Sequence, residues 1–386
     1  MSAMSSERTK CGSPAPFSRN GTLLAILIYM PYRSLTLQNF RNYDTHTIQL
    51  TPGVNIVVGP NGSGKTNLLE ALYVISTGTS FRAADRDLVR QGHDWFRIEA
   101  QYDDDERMLT YSLVDIQSPK HFSLDGTKRV RLGYQQKIPV VLFEPDHLRL
   151  LSGSPANRRE YLDGVLAKLQ PDFARSRSQF ERALLQRNNI LKHAERHSAG
   201  LDDQLFVWNI KLSELAEHIA ERRLGLIDFM NQHIVELYSH IADTPSKVHL
   251  EYESDVSPIR YKQAMLARLE AQLDKDIARG FTGVGPHRDD FSVHLNGARS
   301  SVTASRGEVR SLLLTLKMIE LSLLRDQHVH PPLLLLDDVF SELDSVRRRT
   351  LAALAKPYQT IITTTDADIA KDYFIGSVTM FLTRDQ

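Results

Sequence analysis

One cysteine, Cys11, is the entire thiol content of this 386-residue chain. No disulfide can form within it, which excludes a cystine-stapled scaffold and fits a reducing cytoplasm. Net charge is also missing: 47 Lys and Arg balance 47 Asp and Glu. A neutral total gives no global attraction to nucleic acid or membrane, so any DNA site has to be a local basic surface. Long apolar runs are absent. The run Leu23-Leu-Ala-Ile-Leu-Ile-Tyr29 follows Arg8, Lys10 and Arg19 and mimics a signal peptide, but it is short and no small-residue cleavage site follows. No stretch reaches the ~20 apolar residues needed to span a bilayer, so no membrane association is expected. Internal repeats are absent too. What remains, 41% hydrophobic and 24% charged, is the composition of a globular chain with room for two or three domains.

The patterned part of the chain opens at Met30. Residues 1–29 read as a disordered extension, or else Met30 reads as the true start. Residues 33–40 alternate polar and apolar as a half-buried strand does, and 45–50 read as the partner. Short strands at 97–102, 108–114 and 121–124, with turns at 103–105 and 125–126, predict a mixed sheet. Residues 137–143 read as a buried strand. From about Asp146 to Gly280 the chain turns helical, rich in Arg, Gln, Glu and Leu. Leu205, Trp208, Leu212, Leu215 and Ile219 step by three and four. Leu226, Met230, Ile234, Leu237 and Ile241 resume the step after a break, and together they predict one long amphipathic helix. Phe180, Leu184 and Leu191 predict a shorter antiparallel partner, with Gly200 between the two. Strand character returns at 248–252, 291–295, 333–337, 360–365 and 378–382.

The strongest local signal is a β-branched run, Val54-Asn-Ile-Val-Val58, followed by Gly59-Pro60-Asn61-Gly62-Ser63-Gly64-Lys65-Thr66 and then an apolar helix. Strand, glycine loop and helix in that order form a phosphate-binding loop. Gly59, Gly62 and Gly64 can take positive φ, which turns successive backbone N–H groups inward on phosphate oxygens. The helix N-terminus adds its positive dipole end. Lys65 is placed to reach the β- and γ-phosphates of ATP, and the Thr66 hydroxyl to bind Mg²⁺.

Leu333-Leu-Leu-Leu-Asp337-Asp338 reads as a buried strand ending in two carboxylates. Asp337 would hold Mg²⁺ opposite Thr66, and Asp338 would orient or deprotonate the attacking water. A strand-end turn capped by Asp is the bland alternative. Ser305-Arg306-Gly307-Glu308 precedes an amphipathic helix and has two readings. Ser305 with Glu308 three residues on makes a capping box. The same residues match the Ser-x-Gly-Glu/Gln signature, in which a helix N-terminus binds the γ-phosphate held by a second subunit. Ser341-Glu342-Leu343-Asp344 then follows the acidic strand as a D-loop does.

The order of these motifs resembles the ABC-type ATPases of DNA repair, and the RecF family in particular, from about Met30 to the C-terminus. Further blocks carry the likeness: Leu35-Thr-Leu-Gln-Asn-Phe-Arg41-Asn42-Tyr43, Asn67-Leu-Leu-Glu-Ala, Ser80-Phe-Arg82, Phe143-Glu-Pro-Asp146, Gly153 through Asp163, and Gly285-Pro-His-Arg-Asp-Asp290. The implied fold is α/β, a P-loop ABC-type ATPase head with mixed sheets and a helical lobe II insert. Lobe I would hold 30–145, lobe II 146–290, and 291–386 would complete the ATPase core. The resemblance adds Arg41, Asn42 and Asn67 to the nucleotide contacts. It implies two ATP molecules sandwiched in a head-to-tail homodimer and binding to single-stranded or gapped DNA. It also implies partners RecO and RecR, loading of RecA in recombinational repair and the SOS response, and a weak, DNA-stimulated ATPase. Glu308 stands where this family often has Gln. The aspartate at 338, one methylene shorter than the usual ABC glutamate, predicts slow hydrolysis. The switch position falls within 363–365, and Glu144-Pro-Asp146 stands where a lobe-boundary Gln is usual.

Other readings share parts of this pattern. An ABC transporter's ATPase subunit shares the nucleotide site, but Lys65 and Ser305 are 305 − 65 = 240 positions apart, and the switch His and boundary Gln are missing. A structural SMC-like protein would need longer coiled-coil helices. A small-molecule kinase leaves Ser305–Glu308 unexplained. His287, Asp289 and Asp290 mimic a metal-nuclease ligand set, against a Gly-Pro turn followed by an Arg–Asp network. DNA-contact candidates are Arg158, Arg159, Arg175, Arg177, Arg182, Arg187, Arg222, Arg223 and Arg347-Arg348-Arg349, each with a solvated helix face as its alternative. A groove built from them would favour phosphate backbone, with little sequence specificity and strong salt dependence.

Overall fold

The computed structural model describes residues 31–194, 200–366, 372–374 and 377–382. The readings of residues 1–29 and of Met30 lie outside the described residues.

Two large sheets sort the strands by direction. One is wholly antiparallel, in the order β2 (Tyr43–Gln49), β1 (Tyr32–Phe40), β4 (Trp95–Tyr102), β5 (Asp105–Ser112), β6 (Lys120–Leu124) and β7 (Thr127–Arg129). The other is wholly parallel, in the order β14 (Val378–Phe381), β3 (Val54–Val58), β13 (Thr360–Thr364), β12 (Leu333–Asp337) and β8 (Val140–Phe143). The mixed character expected around the strands at 97–124 therefore lies between sheets rather than within one. The tight turns of the hairpins allow only antiparallel pairing, whereas β3 is followed by a helix and joins strands from the far end of the chain.

The run Leu333-Leu-Leu-Leu336 shows how one strand serves two cores. Leu333 and Leu335 enter the core shared with the antiparallel sheet, while Leu334 and Leu336 enter the core built from helices. Side chains alternate faces, and both faces of a parallel sheet are covered, so no polar residue interrupts the run. Its neighbour β8 divides likewise, Val140 and Leu142 against Val141 and Phe143. β8 starts at Val140 rather than at 137 because Pro139 has no N–H to donate; its carbonyl still accepts from Leu333 N at 2.9 Å.

Helix α1 (Lys65–Thr77) lies between the two sheets and buries Leu68, Leu69, Ala71, Leu72, Val74 and Ile75. The remaining helices are α2 (Arg149–Ser152), α3 (Pro155–Leu169), α4 (Pro171–His193), α5 (Leu201–Ala242), α6 (Tyr261–Ala271), α7 (Leu273–Arg279), α8 (Ser300–Thr303), α9 (Arg306–Gln327) and α10 (Ser345–Ala355). A small sheet, β11 (Ala298–Arg299), β10 (Asp290–Leu295) and β9 (Val248–Glu253), shares their core. α5 runs 42 residues without interruption, about 63 Å at 1.5 Å per residue. The break in its apolar step is occupied by Arg223, which is buried and paired with Asp163. Contacts of Asp172 with Arg222 and of Arg187 with Asn209 show that α4 and α5 run antiparallel. Buried Gln359 binds Tyr32 N, Tyr32 O and Thr51 O, which seals the start of the fold to its last third.

Candidate functional site

The phosphate loop bridges β3 and α1. Gly62 and Gly64 have φ of 83° and 95°, the left-handed region that side chains avoid. Gly59, expected to share that conformation, does not. It is needed for space: a Cβ there would lie 2.5 Å from Ser63 Oγ and 2.8 Å from Leu382 O. A Cβ at Gly64 would strike the Asn42 amide and the Tyr43 hydroxyl, and Tyr43 OH donates to Gly64 O at 3.0 Å. Pro60, Asn61 and Gly62 are exposed, while Ser63, Gly64 and Lys65 are buried. The Lys65 ammonium folds over the loop and donates to Gly59 O at 2.7 Å and Pro60 O at 3.1 Å. Burial pushes its pKa down, and Asp338 and Asp337 oppose that.

Across 271 residues of sequence, Thr66 Oγ1 donates to Asp337 Oδ2 at 2.8 Å. The other carboxylate oxygen, Oδ1, accepts from Thr363 Oγ1 at 2.6 Å. Thr363 also accepts from Asp338 N, at 3.0 Å to its hydroxyl and 3.1 Å to its carbonyl. One threonine at the end of β13 thus braces both acids. Asp338 has φ of 50°, a left-handed conformation that Asp tolerates better than most residues. Ser341 Oγ donates to Asp338 Oδ1 at 3.2 Å. Burial pushes the Asp338 carboxyl above its ordinary range, with Ser341 and Lys65 opposing.

The Mg²⁺ implied by this donor set fits the residues present. A hydroxyl and a carboxylate are hard oxygen ligands, and Mg²⁺ takes few protein ligands beside waters and phosphate. Ser63 Oγ is buried without a hydrogen-bond partner among the described residues, as a group awaiting a phosphate oxygen would be.

Asn42 packs against Gly64 of the loop, Asn67 joins it from the first turn of α1, and Arg41 lies one residue before Asn42, donating to Asp87 O at 2.9 Å as well as to α1. Asn67 Nδ2 donates to Asn42 Oδ1 at 2.6 Å, and Arg41 pairs with the buried Glu70 of α1. Ser305, Gly307 and Glu308 do not join them. Ser305 Oγ accepts from Glu308 N at 3.3 Å, and Ser305 N donates to the Glu308 carboxylate at 2.7 Å, so the capping box is real. The backbone hydrogen bond from Ser305 is the leading cause that holds the Glu308 carboxyl below its ordinary range. No hydrogen bond or ion pair among the described residues links this turn to the phosphate loop. Ser305 and Arg306 face solvent at the N-terminus of α9. Arg347 Nε donates to Ser311 Oγ at 2.7 Å and its guanidinium pairs with Asp344, which ties the D-loop to the helix behind Gly307.

The 285–290 segment is an Arg–Asp–Tyr network. Arg158 binds Asp290 through two bonds of 2.8 and 2.6 Å, Arg159 donates to Asp289 O, and Asp289 Oδ2 accepts from Tyr252 and Tyr261. Arg223 clamps Asp163 and Pro286 O. Committed this way, the carboxylates are not arranged as a metal set. Arg187 is 0% exposed and paired with Asp276, also 0% exposed. Arg187 and Arg223 are therefore structural and withdrawn from the DNA-contact candidates; Arg175, Arg182 and Arg349 remain exposed.

Sequence reasoning placed Thr363 only within the switch position, and Ser80, Arg82 and Glu70 only within blocks that resemble the family, with no task for any of them. The available signal for Glu70 was a carboxylate inside an otherwise apolar stretch of helix.

The parallel sheet, its glycine loop and the acids at the end of β12 define the ATPase head of ABC type. The chain belongs to the RecF/RecN/SMC N-terminal domain family, whose model matches residues 32–380, and its relatives there are RecF proteins. It is 33% identical over 357 residues to the DNA replication and repair protein RecF of Geobacillus thermodenitrificans, covering 90% of this chain and 96% of the relative. It is 32% identical to RecF of Clostridium perfringens, covering 89% and 95%. The structure of the recombination mediator protein RecF with ATPrS, in the RecFOR pathway, superposes with a TM-score of 0.81 at 26% identity over 92% of this chain and 98% of that one. An Smc head bound to a ScpA winged-helix domain superposes at 0.51 and 14% identity over 90% and 93%, a likeness of fold alone. Among the described residues no helix is long and apolar enough to cross a membrane.

Proposed function

We propose that this chain is an ATP-gated DNA clamp of recombinational repair in the cytoplasm. The carrying observation is the hydrogen bond between Thr66 and Asp337, which brings the phosphate loop and the acidic strand end together. In this reading the N–H groups of Gly59–Thr66 and the Lys65 ammonium bind the ATP phosphates, with Arg41, Asn42 and Asn67 beside them. Thr66 and Asp337 hold Mg²⁺, which neutralises phosphate charge when bound. Asp338 accepts a proton from the attacking water, and its short side chain keeps hydrolysis slow.

Ser305 and Arg306 are exposed, and among the described residues the side-chain hydrogen bonds of the signature turn run between Ser305 and Glu308, so in this reading its chemistry is directed at a second subunit's γ-phosphate. Two ATP molecules would then close a homodimer around DNA at gaps or junctions. RecO and RecR would act with it to load RecA and support the SOS response, and DNA would stimulate the ATPase. The RecF relatives and the RecF structures with ATP and ATPrS support this reading over a transporter subunit.

The test is oligomeric state and DNA binding measured together with Mg-ATP, with ADP, and for Ser305→Arg. Dimerisation by ATP alone, DNA binding that follows it, and loss of both in the variant are expected. A protein that stays monomeric and ignores DNA in every state overturns the clamp.

A further inference from the structure

We infer that Glu70 is a positioning residue that holds two guanidinium groups, Arg41 and Arg82, against the phosphate loop. The proposal rests on the nucleotide reading above and assigns a task to a residue outside the loop.

Glu70 lies five residues after Lys65 on α1 and is 0% exposed. Its Oε2 accepts from Arg41 Nε at 2.8 Å and from Arg82 Nη2 at 2.8 Å. Its Oε1 accepts from Arg41 Nη2 at 2.8 Å and from Ser80 Oγ at 2.6 Å. Four donors fill the carboxylate's acceptor sites, a complete set for a buried acid. Burial alone pushes this carboxyl up, but Arg41, Arg82 and Ser80 outweigh it and hold it below its ordinary range, so Glu70 is ionised at neutral pH.

The donors reach the Glu70 carboxylate from two separate places. Arg41 sits in the β1–β2 turn with φ of 55°, Ser80 and Arg82 follow α1, and Glu70 is inside it. A chain of contacts leads from there to the loop. Arg82 Nη2 also donates to Asn67 Oδ1, Asn67 to Asn42, and Asn42 packs where a Cβ on Gly64 would stand. One carboxylate is shared by two cations, which leaves one surplus positive charge beside the helix N-terminus. Arg82 Nε and Nη1 make no hydrogen bond among the described residues, and its side chain is 36% exposed. These are the features of a fixed cation site with donors to spare. Without the carboxylate two guanidiniums this close repel and swing into solvent, and their orientation toward a phosphate is lost. With it the charge is oriented before the nucleotide arrives.

The test measures ATP affinity, kcat and KM for the wild type, Glu70→Gln, Glu70→Asp, the Arg41→Ala/Arg82→Ala pair, and that pair combined with Glu70→Gln, with Tm recorded for each. Glu70→Gln is expected to weaken ATP binding or turnover by about tenfold or more. Glu70→Asp, which keeps the charge, restores part of the loss and serves as the readout if the Gln variant does not fold. On the Arg41→Ala/Arg82→Ala background, Glu70→Gln should change nucleotide behaviour no further. A lowered Tm with wild-type affinity and kcat, or an undiminished extra loss on the double-Ala background, overturns the positioning role alone. A wild type that ignores ATP overturns the nucleotide reading and this proposal with it.

Discussion

Replacing Arg187 by Met tests whether a cation on the helical surface pattern belongs to the core. Arg187 makes three bonds of 2.8 Å, to Asn209 Oδ1, Asp276 Oδ2 and Thr282 Oγ1. Methionine fills much of the volume but satisfies none of them. Among the described residues the Asp276 carboxylate then keeps the backbone donor Gly283 N at 3.0 Å and has no second cation. Breaking a buried pair from one side costs about 3–5 kcal/mol. Arg223→Met is the internal comparison. Asp163 would retain Arg177 Nε at 3.5 Å, so its loss belongs near the lower end, about 3 kcal/mol. Unfolding entropy of roughly 2 cal/mol/K per residue gives a chain of this size roughly 0.8 kcal/mol per kelvin. Tm should therefore fall by about 5 °C for Arg187→Met and somewhat less for Arg223→Met, by calorimetry. Removing both partners with Arg187→Met/Asp276→Leu should recover much of the loss, because no unpaired charge is left behind. DNA binding per folded molecule should stay at the wild-type level in both single variants, whereas Arg349→Ala should weaken it and flatten its salt dependence. An unchanged Tm together with weakened DNA binding in Arg187→Met would refute the reasoning and return Arg187 to the DNA surface.

Asp338→Asn should leave ATP bound while slowing hydrolysis at least a hundredfold, roughly the contribution of a positioned base, and should trap the dimer; wild-type turnover would remove Asp338 from the chemistry. Because burial raises the Asp338 carboxyl, hydrolysis should fall with acid at a pH above the ordinary Asp range, near 3.9, and a pH–kcat profile reads this directly. Two half-buried histidines make stability pH-dependent as well. Burial pushes His147 down to about 3 and His287 to about 4, so both are neutral in the fold where an unfolded histidine is protonated below about 6.5. Stability is therefore fully present above pH 6.5 and drains as pH falls toward 4, by at most roughly 3 kcal/mol for His287. Tm against pH should show that decline, and His287→Asn should flatten it. An equally steep decline in the variant would locate the effect elsewhere.

The chain's own order was enough for everything contiguous. Strand, glycine loop and helix at 54–77 are adjacent in sequence, so their geometry follows from local backbone rules. The capping box at Ser305–Glu308 spans four residues, and the leucine run of β12 carries its own two-sided burial. Neighbouring periodicity also predicted the long helix, because an amphipathic step survives one interruption.

The tertiary structure alone decided the meaning of charges. Arg223 looked like a gap in an apolar stripe, and it is the buried partner of Asp163, sixty residues away. The resemblance placed Arg41 at the nucleotide, but nothing in its spacing to Glu70 or Arg82 showed that one buried carboxylate holds both arginines. Gly59 was chosen by the crowding of Ser63 and Leu382 rather than by its own torsion. Thr66, Asp337 and Thr363 become one site only when β12 and β13 are laid parallel, in register, beside β3. Backbone conformation is a property of neighbours in sequence. Compensating a buried charge depends on whatever the fold brings within about 3 Å, and spacing in the chain does not record that distance.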